Sequence, residues 1–325
     1  MSPTLTPPVA AAAPPQTSAQ RTSPLRRAPC ARRVRIVGAA AALGAPHPGA
    51  AAAPDTLQAG ALVARCAQRG LALDWAATLR PDSPPAAQAA MAVRLAACAG
   101  FDHALADYLA ALAPEVVPLV LGGDHAIAVG TWRGLARRAA RAPGLLWIDA
   151  HLDSHTPATT HSGNIHGMPL AALLGEGDAG LVAIPGPPLD PSRCCVIGAH
   201  AWEDEERVLL ERLQVRIFTR DEIRQRGLGA VFAEALQIVR GSDTTAQGFG
   251  LSLDLDVLDP LQLPAVSCPE AGGLGIAELV AALQQLRCCD SLVGMEIVEY
   301  RPDLDPAGAG MELIAALAAA ALGRR

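Results

Sequence analysis

Leu145-Leu146-Trp147-Ile148-Asp149-Ala150-His151-Leu152-Asp153 is the stretch on which the fold of this chain turns. Its first four residues are all apolar, so a strand built from them is covered on both faces, as in a parallel sheet between helices. The run then gives way to Asp149, His151 and Asp153. Spaced by two, these three share one face if the chain stays extended. The segment therefore predicts a buried strand that delivers three ionisable groups to its C-terminal end, where open α/β sheets place their sites.

Working outward, similar short apolar runs occur at 34–38, 116–121, 194–198, 214–218, 249–255 and 292–298, beside 144–149 itself. Helical stretches lie between them at 56–69, 84–112, 126–141, 203–213, 228–240 and 276–287, with a last one at 309–322. Strand and helix alternation predicts an α/β fold, a single doubly wound domain whose mainly parallel central sheet is flanked by helices. That domain is expected to span residues 33–325. Residues 1–32 are rich in Pro, Ala, Ser, Thr and Arg, and the first acidic residue is Asp55. They read as a disordered tail. An Arg-rich, acid-poor start also resembles a targeting peptide, but Val34-Arg35-Ile36-Val37-Gly38 fits a first strand better than an export signal.

Composition narrows the function. All 26 basic residues are Arg, the net charge is −6, and no basic patch with interleaved aromatics occurs in the 325 residues, so nucleic acid is not an expected partner. No apolar run of transmembrane length, free of Gly and Pro, is present, and no membrane partner is expected. Eight cysteines include the adjacent pairs Cys194-Cys195 and Cys288-Cys289 but no CxxC motif. Buried free thiols in a reducing, cytoplasmic setting are expected rather than disulfides or structural zinc.

Two more strand ends carry chemistry. Leu121-Gly122-Gly123-Asp124-His125 runs from a strand through two glycines, which permit a tight turn and close backbone approach, to a histidine. Ser252-Leu253-Asp254-Leu255-Asp256 places two carboxylates at the end of an apolar strand. Like charges so placed repel and desolvate at a cost that a bound cation would offset. With Asp149, His151 and Asp153, the segments offer two His and four Asp. Oxygen-rich ligation with some imidazole suits Mn²⁺ better than structural zinc. Six ligands exceed what one open ion needs, so two ions bridged by carboxylates fit better, and such a pair generates a nucleophilic hydroxide at neutral pH. The residues taken alone indicate a metallohydrolase.

These three motifs, in this order, resemble the metal motifs of the arginase (ureohydrolase) family. The likeness extends to Ser162-Gly163-Asn164-Ile165-His166-Gly167-Met168, to the loop from Pro264 to Gly273, to Ile297-Val298-Glu299-Tyr300, and more loosely to Gly44 through Leu57. It spans roughly residues 34–322. The resemblance implies two Mn²⁺, one held by His125, Asp149, Asp153 and Asp254, the other by Asp149, His151, Asp254 and Asp256. It implies a bridging hydroxide that attacks a guanidinium carbon, Asp153 as proton donor to the leaving amine, His166 as proton shuttle, and Glu299 as partner of the guanidinium. It further implies a small guanidino substrate, L-arginine first among them, and a homo-oligomer, trimeric or hexameric.

The substrate end departs from the family pattern. His155 stands where an Asn is expected, Glu203 where the amine-binding Asp would be, His200 in place of an Arg, and Cys268 where Thr is common. Ser162 and the Thr156-Pro157 pair fit. His155, Ser162, Glu203 and Cys268 are thus the expected substrate contacts. Agmatine, a guanidino acid or N-hydroxyarginine remain open as alternatives to L-arginine, as does a family member that binds without catalysis.

Overall fold

The computed structural model describes residues 33–86, 88–241, 248–287 and 289–323. The tail expected at 1–32, with Cys30, and Cys288 lie outside the described residues. Eight strands form one sheet: β1 (Arg33–Ala39), β2 (Leu73–Leu79), β3 (Val116–Gly122), β4 (Gly144–Ile148), β5 (Cys194–Ile197), β6 (Arg216–Phe218), β7 (Phe249–Asp254) and β8 (Leu292–Val298). Every pairing is parallel, and the order across the sheet is β2-β1-β3-β8-β7-β4-β5-β6. The expected doubly wound architecture is the observed one.

The all-apolar strands are explained by two separate cores. Leu146 and Ile148 of β4 face one with Cys195, Ile197, Leu251 and Leu253. Leu145 and Trp147 face the other with Cys194, Val196, Val120 and Val298. Successive strand side chains point to opposite faces, so a strand covered twice favours apolar residues at every position. The same alternation sends the neighbours Cys194 and Cys195 into different cores, where both are buried free thiols and burial pushes Cys194 up to about 12. Helices Ala309–Leu322 and Leu228–Arg240 pack on the first face, while Met91–Ala110 and Ala128–Arg138 pack on the second.

Differences from the sequence-based expectation have local causes. β2 has no counterpart among the expected strands. Its Leu-Asp-Trp-Ala-Ala-Thr-Leu is half-buried throughout, an edge strand with neither an apolar run nor a clean alternation. The helix expected from 84 begins only at Met91, because Pro84-Pro85 occupies the segment before it. The short helices Pro169–Leu173, Ala179–Val182 and Arg220–Arg226 are additions too. They are too brief for a periodic apolar pattern to register.

Candidate active site

All strands run the same way, so all their C-terminal ends share one edge of the sheet. Because β3, β8, β7 and β4 are consecutive neighbours, the segments after them converge. His125 follows β3, Glu299 follows β8, Asp254 ends β7 with Asp256 in the turn behind it, and Asp149, His151 and Asp153 follow β4. The turn after β3 requires Gly123, since a Cβ there would run into the carbonyl oxygen of Ala41 on the loop leaving β1. The adjacent Asp124 ties that loop down by accepting hydrogen bonds from Gly44 N (2.6 Å) and Ala45 N (2.7 Å). The close approach predicted for the glycines is thus made by backbone.

Nδ1 of His125 lies 3.2 Å from Asp149 Oδ2, 3.0 Å from Asp153 Oδ2 and 3.1 Å from Asp254 Oδ2, and all four side chains are buried or nearly so. Nδ1 of His151 lies 3.0 Å from Asp256 Oδ2 and 3.5 Å from Asp149 Oδ1. Asp149 therefore turns one oxygen to each histidine, the disposition of a bridging ligand. Trp147 stacks on the His125 ring at 4.1 Å and donates its indole N–H to Asp149 Oδ2 at 2.9 Å.

These residues fit a cation. Nε2 of His125 is 2.8 Å from Ser252 Oγ, and the Ser252 hydroxyl donates to Glu296 Oε1 at 2.6 Å. A hydroxyl carries one proton; with that proton committed to Glu296, Ser252 accepts from Nε2–H, and Nδ1 is the ring nitrogen turned to the carboxylates. Burial works to lower the His125 pKa, but Asp149, Asp153 and Asp254 hold it well above the usual imidazole value. So much buried negative charge around Nδ1 calls for a positive charge there, a proton or a cation in its place. The carboxylates say the same. Burial, then Asp149, pushes Asp153 to about 7, and burial with Asp256 and Asp149 holds Asp254 well above the usual carboxylate range. Two sets, His125-Asp149-Asp254 and Asp149-His151-Asp256, each bring ligand atoms within 4.8 Å of one another.

The convergence is not produced by the extended alternation expected for Asp149, His151 and Asp153. β4 stops at Ile148, and Asp153 sits in the left-handed region at φ 47°. Glu299 does likewise at φ 66°. Such backbone costs of order 1–3 kcal/mol per residue in non-glycines and clusters where side chains must be aimed. Glu299 Oε1 accepts from His125 N at 2.7 Å and lies 3.0 Å from His166 Nδ1, while Oε2 is buried without a partner. Burial works to lower the His166 pKa, but Glu299 and then the Cys268 thiol hold it well above the usual imidazole value.

A cavity of about 340 Å³ opens onto this cluster, lined among others by Asp153, His155, Ser162, His166, Glu203 and Cys268. The structure thus brings all the expected substrate contacts to one cavity. His155 Nε2 lies 2.9 Å from Glu203 Oε2 and 3.5 Å from Glu206 Oε2, and Nδ1 lies 3.1 Å from Thr159 Oγ1. Ser162 Oγ accepts from Asn164 N at 3.2 Å. His200 turns away, with Nδ1 2.8 Å from Gly198 O. The cavity is also lined by residues to which the sequence reading gave no role, Asn164, Glu206 and Glu270 among them. Asn164 lies inside the SGN motif, and Glu206 completes with Glu203 a capping box on helix Asp204–Arg212, a spacing visible as Glu-x-x-Glu.

Comparison with known proteins agrees with this geometry. The sequence pattern of the arginase family matches residues 32–323. The arginase of Brevibacillus brevis is 43% identical over 190 residues, covering 58% of this chain and 62% of that protein, so the matched stretch spans about three fifths of the relative's length. Among solved structures, the native arginase of Bacillus caldovelox superposes with a TM-score of 0.82 at 29% identity, covering 90% of this chain and 99% of that one. The arginase of Bacillus cereus gives 0.80 at 30% identity with the same coverage. With its parallel eight-stranded sheet and its carboxylates gathered at the ends of β4 and β7, the chain belongs to the arginase family.

Proposed function

We propose that this protein hydrolyses the guanidino group of L-arginine, giving L-ornithine and urea, with two Mn²⁺ held by His125, Asp149, His151, Asp153, Asp254 and Asp256. The observation that carries this reading is the approach of His125 Nδ1 to within 3.0–3.2 Å of three buried carboxylates, Asp149, Asp153 and Asp254, beneath a substrate-sized cavity. When bound, the metal pair supplies Lewis acidity and an ionised water at neutral pH. The oxygen-rich donor set favours Mn²⁺ over zinc.

The chain's own residues do the remainder. The unpartnered Oε2 of Glu299 is free to accept from a guanidinium N–H and orient the carbon above the ligands. As the new C–O bond forms and a C–N bond breaks, Asp153 passes a proton to the departing amine. His166, held against Glu299 and opening onto the cavity, exchanges protons with solvent. At the outer end Glu203 receives the substrate amine, with His155 behind it. Ser162 and Asn164 face the carboxylate, and Cys268 flanks the guanidinium beside His166. The catalytic unit is residues 33–325. Four buried free thiols among the described residues suit a reducing cytoplasm, no described helix is long and apolar enough to cross a membrane, and the family likeness suggests a homo-oligomer.

Urea release from a panel of guanidino compounds tests the substrate. L-arginine is expected to exceed agmatine in kcat/KM by at least ~100-fold, about 2.7 kcal/mol, because agmatine leaves the carboxylate-binding groups unpaired. The departures at His155 and Glu203 favour a second reading, another guanidino substrate, and equal or reversed preference would establish it.

A further inference from the structure

Behind His125, on the side away from the cavity, lies a buried polar chain that the proposed reaction does not use. Trp132 Nε1 donates to Glu296 Oε1 at 2.5 Å, Ser252 Oγ donates to the same oxygen at 2.6 Å, and His125 Nε2 stands 2.8 Å from Ser252 Oγ. Glu296 and Ser252 are 0% exposed. They are direct register partners on β8 and β7, so the sheet itself sets their separation. Trp132 comes from helix Ala128–Arg138 and lies over Gly250, two residues before Ser252. A Cβ at Gly250 would collide with the indole ring, so the glycine admits the ring that reaches Glu296.

A carboxylate inside a sheet loses its hydration, and Glu296 has no Arg or His ion-pair partner among the described residues. A leucine or methionine would fill the place at less cost. What Glu296 does is visible in its oxygen. Oε1 accepts from two donors, and Oε2 has none. The indole can only donate, so that end of the chain is anchored in one direction. The Ser252 proton must then point to Glu296, and the His125 proton must point to Ser252.

We propose that Glu296, anchored by Trp132, is a positioning residue that fixes the tautomer of His125 through Ser252 and thereby holds the ion on the His125 side of the metal pair. Its charge, two hydrogen bonds away, makes Nδ1 a stronger donor to that ion. His151 has no such chain: its Nε2 faces Glu270 at 3.8 Å near the cavity. The two ions are therefore held unequally, and only one depends on Glu296. This rests on the metal reading of the proposed function.

The test uses full-length protein loaded with Mn²⁺ and titrated with a graded chelator, ion content being measured together with the exchange-coupled spin-resonance signal of the pair. Wild type is expected to retain two ions. Glu296→Gln should release one of them at about 10- to 100-fold higher free Mn²⁺ than wild type does, losing the coupled signal while the second ion stays. Ser252→Ala should do the same, and the double variant should be no worse than either single one, since all three break one chain. Trp132→Phe, which keeps an aromatic ring but loses the pyrrole portion with its N–H, serves if Glu296→Gln does not fold, and should weaken the same ion. Wild-type retention of both ions by Glu296→Gln, or additive losses in the double variant, would overturn the inference alone. Failure of wild type to bind Mn²⁺ would instead overturn the metal reading.

Discussion

The floor and the rim of the cavity are built on different principles. The floor consists of His125, Asp149, Asp153, Asp254, Asp256 and Glu299, each at or just past the end of an interior strand and each no more than 7% exposed. The rim consists of Ser162, Asn164 and Glu203, half-buried or exposed on a loop and a helix start, with the more buried His155 behind Glu203. At the floor, main-chain N–H groups and neighbouring rings fix each carboxylate: His151 N donates to Asp149, Asp256 N to Asp254, Trp147 to Asp149. At the rim the polar groups face one another, His155 with Glu203 and Thr159, His161 with Glu203 and Glu205. Preorganised charge belongs where the reaction occurs, whereas exposed pairs contribute little to stability and can exchange partners. On the proposed function the floor carries the reaction and the rim selects what undergoes it.

The largest effect should come from the floor. Asp254→Asn removes the charge of a buried carboxylate that faces His125 Nδ1 at 3.1 Å. Urea release is expected to fall by at least ~10³-fold, about 4 kcal/mol in the barrier, with circular dichroism unchanged and metal content reduced. Chelation of the wild-type protein should match it. Full turnover by metal-free protein would break the distinction between floor and rim outright.

An intermediate effect is expected at the rim. His155→Ala removes the group that holds Glu203, so KM for L-arginine should rise about tenfold, or ~1.4 kcal/mol, while kcat changes little. Metal content should remain at the wild-type value. Loss of an ion in this variant would move His155 to the floor.

The smallest effect concerns a buried acid remote from both regions. Asp102 is 1% exposed on helix Met91–Ala110, and burial, then Asp124, holds its pKa well above the usual carboxylate value. An acid whose folded pKa is raised binds more protons folded than unfolded. Its contribution is therefore intact below the unfolded value near ~3.9 and falls as pH rises toward the folded one. Asp102→Asn should flatten this decline in chemical denaturation between about pH 5 and 8, with activity unchanged. An unaltered slope would show that Asp102 ionises without penalty, and that buried acids here need no cation.

Much of this architecture is legible in the sequence. Apolar runs that end in Asp and His announce both the parallel sheet and the edge that carries chemistry, and 228–240 and 309–322 are helices to the residue. Trp132 and Glu296 are not legible as partners. A tryptophan in a helix and a glutamate in Gly-Met-Glu-Ile-Val carry no sign that they meet 164 residues apart. A carboxylate inside an otherwise apolar strand is the available signal.

By itself the sequence determined the chemical inventory: which strands are covered twice, which residue types stand at their ends, and hence a metal-binding hydrolase of this family. Those properties follow from local patterns of period two and from the solvation of single side chains. Only the tertiary structure decided that β8 lies between β3 and β7, that Asp153 reaches His125 through left-handed backbone, that His155 faces Glu203, and that Ser252 pairs with Glu296. Each depends on strand order or register between distant segments, and no neighbouring residue in the chain carries the energy of that pairing.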